Sequence, residues 1–394
     1  MKLILDQFRD FFSSLRLTVA LLVLSIILVF VATLDQVNLG IWAVQEKYFQ
    51  TFFVMKYFPG STIPIPVFPG GYTIGGMLLI NLVLAHFERF KPQWRKAGIS
   101  LTHAGIVLLL VGELFTGLFS DESHMRLDEG GTKNFSESFL KREVAVIETT
   151  ESDFDIITSI PIDRIARSKP VDVPELPFVL RVREGAFYPN SALAMRGPNM
   201  PQGPSIANAG IGPQIAVTPM RPTYKPDEVN VPSMFVDITG RDGASLGTWL
   251  LSTMLSAPQE LTVGARKFRL DLRPTRFYKD FNVTLIDFTH DKYPGTQIPK
   301  NFSSKVRVLS DDRSVDRETL IYMNNPLRHG GFTFYQSGFD NNDTTSVLQV
   351  VQNPGWFLPY AACALVTLGL LIQFGIHLKG FIARRYAKKS EVTP

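Results

Sequence analysis

The chain has 394 residues, 45% of them hydrophobic and only 19% charged, which excludes a disordered protein and argues against a wholly soluble one. The net charge of +4 could hint at nucleic acid, but the basic residues flank apolar runs, so no nucleic-acid partner is expected. The lone cysteine, Cys363, excludes an internal disulfide, a CxxC thiol pair, a cysteine-rich zinc site and a CxxCH haem attachment in this chain.

A membrane helix needs roughly 20 apolar residues to cross about 30 Å of hydrocarbon. Four runs qualify, at about 17–34, 70–86, 98–119 and 355–377. No small-residue cleavage pattern follows the first, so it reads as a span and not a signal peptide. The second is the shortest, and its glycines suit close helix contact more than lipid. The predicted organisation is a membrane region over 1–119, an extracytoplasmic domain over 120–353, and a final span with a basic tail over 354–394.

Orientation follows from the short loops. Lys2, Arg9 and Arg16 precede the first span. Arg89, Lys91, Arg95 and Lys96 lie in the 87–97 loop, and Lys379, Arg384, Arg385, Lys388 and Lys389 in the tail. The 35–68 loop carries only Lys47 and Lys56. Both termini are therefore expected in the cytoplasm and the large domain outside. Trp94 in the basic 88–96 stretch suits a membrane interface.

The 120–353 region is long enough to bury its own core. Its pattern is β: 178–188, 233–240, 266–272, 282–288, 304–310 and 318–324 are short alternating runs rich in Val, Ile, Phe and Tyr. Runs 332–339 and 346–352 read as a hairpin across DNNDTT. An antiparallel sandwich or an open barrel-like sheet is predicted. Residues 189–226 hold eight prolines and four glycines and are expected to be an irregular surface loop, either docking a partner or simply inserted. No GxSxG, Walker loop, HExxH or strand-linked GxGxxG occurs, which leaves hydrolase, kinase and dehydrogenase chemistry unsupported. His124 follows the third span, His290 sits at a strand-to-loop step and His329 in a turn. Each reads as a surface or hydrogen-bonding residue.

Ionisable groups inside a span are costly and are functional candidates by default. His103 lies five residues into the third span, about 8 Å from its cytoplasmic edge. His86 closes the second span at that edge, and His377 closes the fourth. Neutral imidazole suits haem iron. It also suits a hydrogen bond to a neighbouring helix, and the small residues Ala104, Gly105 and Gly112 would admit either a flat macrocycle or a helix. Glu113 is ten residues from His103, about 15 Å along the axis, so the two do not pair.

Three stretches carry a resemblance: SSLRLTVALLVLSIILVFVATL, NLVLAHFERFKPQWRKAGISLTHAGIVLLLVGEL, and IYMNNPLRHGGFTFYQSGFD with TSVLQVVQNPGWFLPYAACALVTLGLL. They are similar to the ResB family, also called CcsB. The resemblance implies four transmembrane helices with a large extracytoplasmic β domain between the third and fourth. It implies a membrane subunit of System II cytochrome c synthesis that helps carry haem b across the membrane. With a ResC/CcsA-type partner it would present haem to the CxxCH thiols of apocytochrome c. It places an axial haem ligand at His103, with a second ligand from the partner; His86 joins His103 as a candidate haem-binding residue. The four tryptophans, at 42, 94, 249 and 356, are scattered and form no WxWD-like segment, so catalysis by this chain alone is not expected. Cys363 falls inside the last span and is not expected to exchange thiols with apocytochrome. The competing reading is a non-catalytic anchored scaffold whose β domain binds apocytochrome or partner proteins.

Overall fold

The computed structural model describes residues 2–56, 63–89, 93–151, 153–167, 169–197, 205–223, 229–296, 299–340 and 344–390. They fall into two compact units, one built from the chain's two ends and one from 121–223 and 227–352.

The first unit is helical. Helix α1 (Lys2–Phe12) stops at Ser13–Ser14, and the Ser14 hydroxyl accepts the Arg16 backbone N–H as an N-cap for α2 (Leu15–Val44). Gly40, at φ 71°, kinks α2, and one wider turn, Gln45–Phe49, continues it. A two-stranded ribbon follows, β1 (Phe53–Lys56) with β2 (Ile65–Pro69), then α3 (Gly71–Arg89) and α4 (Ala97–Phe119). Among the described residues, three helical runs are long and apolar enough to cross a membrane: Leu15–Phe49, Trp94–Phe119 and Leu358–Arg385. The 19-residue α3 forms where the second span was predicted and is long enough, but it is not among the runs apolar enough to cross. Its glycines divide. Gly70 and Gly71 press on the backbones of Thr51 and Phe49, whereas nothing lies within 4 Å of a Cβ at Gly75 or Gly76. Close helix contact therefore holds at Gly71, against the helical turn that ends at Phe49, and is corrected for Gly75 and Gly76.

The second unit is the β domain, and every ladder in it is antiparallel. Its strands are β3 (Asp121–Asp128), β4 (Thr132–Glu148), β5 (Ile156–Pro161), β6 (Phe178–Tyr188), β7 (Ser191–Met195), β8 (Ile215–Pro219), β9 (Ser233–Gly240), β10 (Ser245–Ser252), β11 (Gln259–Val263), β12 (Arg266–Lys292), β13 (Pro299–Ser310), β14 (Asp316–Tyr322), β15 (Leu327–His329), β16 (Phe332–Asp340) and β17 (Thr345–Gln352). One helical turn, α5 (Ile162–Ile165), follows β5. A ten-stranded sheet runs β14-β13-β12-β4-β3-β17-β16-β15, with β11 and β5 added along β12 and β4. A second sheet runs β10-β9-β6. The last helix, α6 (Leu358–Ser390), belongs to the first unit.

Strand β12 runs through two cores, and β4 joins it in the first. The C-terminal half of β4 and the first part of β12 present Val144, Val146, Phe268, Leu270 and Leu272 to Phe178, Val182 and Val236. There Phe178 and Phe268 meet edge to face, centroids 5.2 Å apart. The last part of β12 carries Phe281, Val283 and Leu285 into a second core with Val306, Phe334 and Leu348. Each fully buried side chain of this kind contributes roughly 1.5–3 kcal/mol. Between the cores the same two strands turn polar. Ser136, Ser138, Glu143, Arg273 and Lys279 are all buried, and the β4–β12 register slips after Pro274 and again after Tyr278. A proline cannot donate to a ladder, and bulges are where strands absorb one.

The expectation that 189–226 lacks regular structure is corrected. Strands β7 and β8 pair from Ser191↔Pro219 to Met195↔Ile215, and Pro213 sits in the single turn Gly212–Gln214. Asn190 closes the ribbon's base: its amide donates to Arg221 O and its Oδ1 accepts the Val231 N–H. Residues 198–204 and 224–226 of that stretch lie outside the described residues. His290 and His329 likewise lie within strands, opposite Phe302 and Phe332.

Candidate functional site

Helices α3 and α4 are joined by the short 90–96 connection, so the end of one faces the start of the other. His86 is three residues from the end of α3, and His103 is in the second turn of α4. The hairpin brings them together: the two Nδ1 atoms are 3.2 Å apart, with ring planes at 74° and centroids 5.4 Å apart. Both rings are partly buried.

A hydrogen bond between two imidazole nitrogens needs a proton on one and a lone pair on the other. In a neutral pair the donor ring therefore keeps its lone pair on Nε2, the tautomer a metal-ligating histidine needs. The partner ring acts as the acceptor that orients it. The pairing thus leaves one ring with a free Nε2 lone pair, the donor that a single metal bond would need.

The small residues near His103 serve a different neighbour. Gly98, Gly105 and Gly112 recur every seven residues and are buried. A Cβ at Gly98 would lie 2.5 Å from Gly369 O, and one at Gly105 would lie 2.6 Å from Val366 Cγ2. A Cβ at Gly369 would in turn lie 2.5 Å from Thr102 Oγ1. This seam is filled by α6. At 100° per residue His103 stands about 140–180° away from it, on the face toward α3. Along this seam the small residues admit a helix, α6.

Other ionisable candidates stay apart from the pair. Glu113 is exposed on α4. His377 meets Gln373 on its own helix, Nε2 to Nε2 at 2.9 Å. The three β-domain histidines each lie on a phenylalanine: His124 on Phe139, His290 on Phe339 and His329 on Phe281, with centroids 4.8, 4.2 and 4.6 Å apart. His124 Nε2 is 4.0 Å from Glu137 Oε2, its Nδ1 is buried without a hydrogen bond, and burial pushes its pKa down. Among the described residues no group of three or more His, Cys, Asp or Glu could hold a metal ion.

Two features of the helical unit escaped the sequence reading. Asn81, buried at 1% exposure, ties α3 to the α1–α2 corner. It accepts from Thr18 Oγ1 at 2.6 Å and donates to Phe12 O and Ser14 O at 2.6 and 3.1 Å. Its only sequence signal is a lone amide in an apolar run. Farther along α2, Asp35 Oδ2 accepts from Lys47 Nζ and Tyr48 OH at 2.6 and 2.7 Å, beside a groove of about 510 Å³ walled by Ile27 and Val31.

Together these features define a membrane-anchored protein with a large antiparallel β domain inserted before its last helix. The ResB-like family model matches residues 258–347, spanning β11 to β17. A stretch of 120 residues is 32% identical to Protein NrfI of Wolinella succinogenes. That stretch covers 30% of this chain and 13% of NrfI, so the chain spans only a small part of that relative's length. Over residues 258–347 the chain is thus similar to the ResB-like family.

The family-like motif within the matched segment is built for folding. Gly330 and Gly331 take φ 58° and 79° to turn β15 into β16, and a Cβ on Gly330 would strike Phe281 at 2.8 Å. Leu327 and Phe334 are core residues. Gln336 accepts from Ser304 Oγ at 2.6 Å and bonds Gly338 O across a bulge.

Proposed function

We propose that this chain is a membrane component of cytochrome c biogenesis, in which His103 is an axial haem ligand and His86 holds its ring. The observation that supports this reading is the 3.2 Å contact between the two Nδ1 atoms. Bound haem would supply the iron for that imidazole and the vinyl groups that maturation joins to CxxCH thiols. His103 would present Nε2, and His86 would fix its tautomer and direction. The second axial ligand, and the haem-attaching chemistry, would come from a ResC/CcsA-type membrane partner acting on apocytochrome c.

Under this reading α3 is a fourth pass, shortened because it packs against α2 and α4. The twelve Lys and Arg at both termini and in 87–97 keep those segments cytoplasmic, and the β domain is extracytoplasmic. Haem is large and amphipathic and needs a protein path through lipid, which supports placing its ligand within the helices.

The test is the visible spectrum of the chain co-purified with its partner. His103→Ala should weaken the Soret band severalfold while His290→Ala leaves it unchanged. His86→Ala should leave haem bound but shift the band or the reduction potential, and His86→Gln, which still hydrogen-bonds, should restore much of it. A colourless complex that still matures cytochrome c through His103→Ala would instead establish the scaffold reading.

A further inference from the structure

At the polar waist between the two cores a cavity of about 330 Å³ is lined in part by Ser123, Arg276, Phe277, Tyr278 and Phe332. Lys279 lies just behind its wall at 7% exposure. Lys279 Nζ donates to Phe277 O at 3.1 Å and to Ser136 Oγ at 2.8 Å, and stands 4.4 Å from the centre of the Phe332 ring. Ser123 Oγ donates to the same Ser136 Oγ at 2.8 Å. Three of the cavity's lining residues therefore reach this one nitrogen, directly or through a single hydroxyl.

Among the described residues no carboxylate forms an ion pair with Lys279. The acids around the cavity are already engaged: Asp121 with Lys141 at 3.4 Å and Glu137 with Arg276 at 3.0 Å. Burial pushes the Lys279 amine down to about 8, and desolvation is the cause. A buried cation without a counter-ion is costly, and an anion brought beside it offsets that cost. The β4–β12 ladder loses register at this point, between Tyr278 and Val283. Bulges of this kind are found where a strand re-aims a side chain.

We propose that the waist cavity binds a small aromatic carboxylate. Its anionic end accepts the Ser123 hydroxyl proton in place of Ser136, within the positive field of Lys279, and its ring lies against Phe277, Tyr278 and Phe332. The volume sits at the low end of ligand cavities, roughly 300–1,000 Å³, and suits two fused rings more than a porphyrin. The proposal is independent of the haem reading, since it concerns the β domain alone.

Equilibrium dialysis of the full chain in non-ionic detergent, against empty micelles, tests it with 2-naphthoate and its neutral isostere 2-naphthamide. Naphthoate should bind roughly ten-fold or more tightly than naphthamide. Lys279→Met should erase that preference, Lys279→Arg should keep part of it, and Ser123→Ala should weaken naphthoate severalfold. Equal binding of the two probes, no binding above the micelle blank, or a preference that survives Lys279→Met would overturn the proposal. If Lys279→Met fails to fold, the wild-type comparison and Ser123→Ala still decide.

Discussion

Lys279 and His86 show how far a single side chain's meaning depends on its surroundings. A lysine in RPTRFYKDF reads from sequence as a solvated charge, yet Lys279 is buried between two cores. Its pKa is about 8 when folded against 10.5 for an ordinary lysine, so the unfolded chain holds more protons between those values. Stability must then rise as pH increases from about 8 to about 10.5, a contribution on the order of 3 kcal/mol from this residue. Near-UV circular dichroism melts across that window should show Lys279→Met losing the increment relative to wild type. His86 and His103 were both visible as candidates, but their meeting was not. It depends on the register of the α3–α4 hairpin, which hydropathy does not encode, and it changes His86 from a second haem contact into the proposed support of the first.

Helix α4 shows the same point at the level of elements. Its apolar run and glycines were readable, but which neighbour they served was not. The heptad spacing of Gly98, Gly105 and Gly112 is a seam for α6, and at Gly98 two of the three nearest opposing atoms are backbone. Backbone cannot step aside as a side-chain tip can, so Gly98→Val should destabilise the helical unit by about 1–3 kcal/mol, measured as a lowered thermal midpoint in detergent. Gly75→Ala in α3 makes the opposite case: nothing lies within 4 Å of the added methyl, and helix propensity favours alanine by up to about 1 kcal/mol. It should be neutral or stabilising by the same assay. Among strands, 178–188 and 233–240 matched their expected bounds end to end. Strand β12 read as two pieces because its middle crosses the waist with Pro274, Arg276 and Lys279. Strand β4 was missed because a polar first half runs into the unbroken apolar stretch Val144–Ile147, and neither half alternates cleanly.

Across the whole molecule, β12 serves both cores of the β domain, so damage to one core should be felt in the other. Phe178→Ala and Phe334→Ala remove fully buried rings from different cores, and each should cost about 3–5 kcal/mol. Hydrogen exchange followed by mass spectrometry should show both substitutions raising exchange along the entire length of β12. Independent responses in the two halves would mean the waist uncouples them. The proposed orientation is open to a direct check in a Cys363→Ser background. A membrane-impermeant maleimide applied to intact cells or spheroplasts should label Lys141→Cys and spare Lys96→Cys.

Strand β3, which opens the β domain, pairs with β17, which closes it, and the last rung joins Asp121 to Gln352. Opposed residues on neighbouring strands stand only about 4.5–5.5 Å apart. The polypeptide thus departs and returns through adjoining doorways, the arrangement that makes an inserted cassette transplantable. A linker of a few residues could seal the gap left by excising 121–352. The excised segment, its own ends already side by side, could be circularised or grafted between the helices of a different anchor.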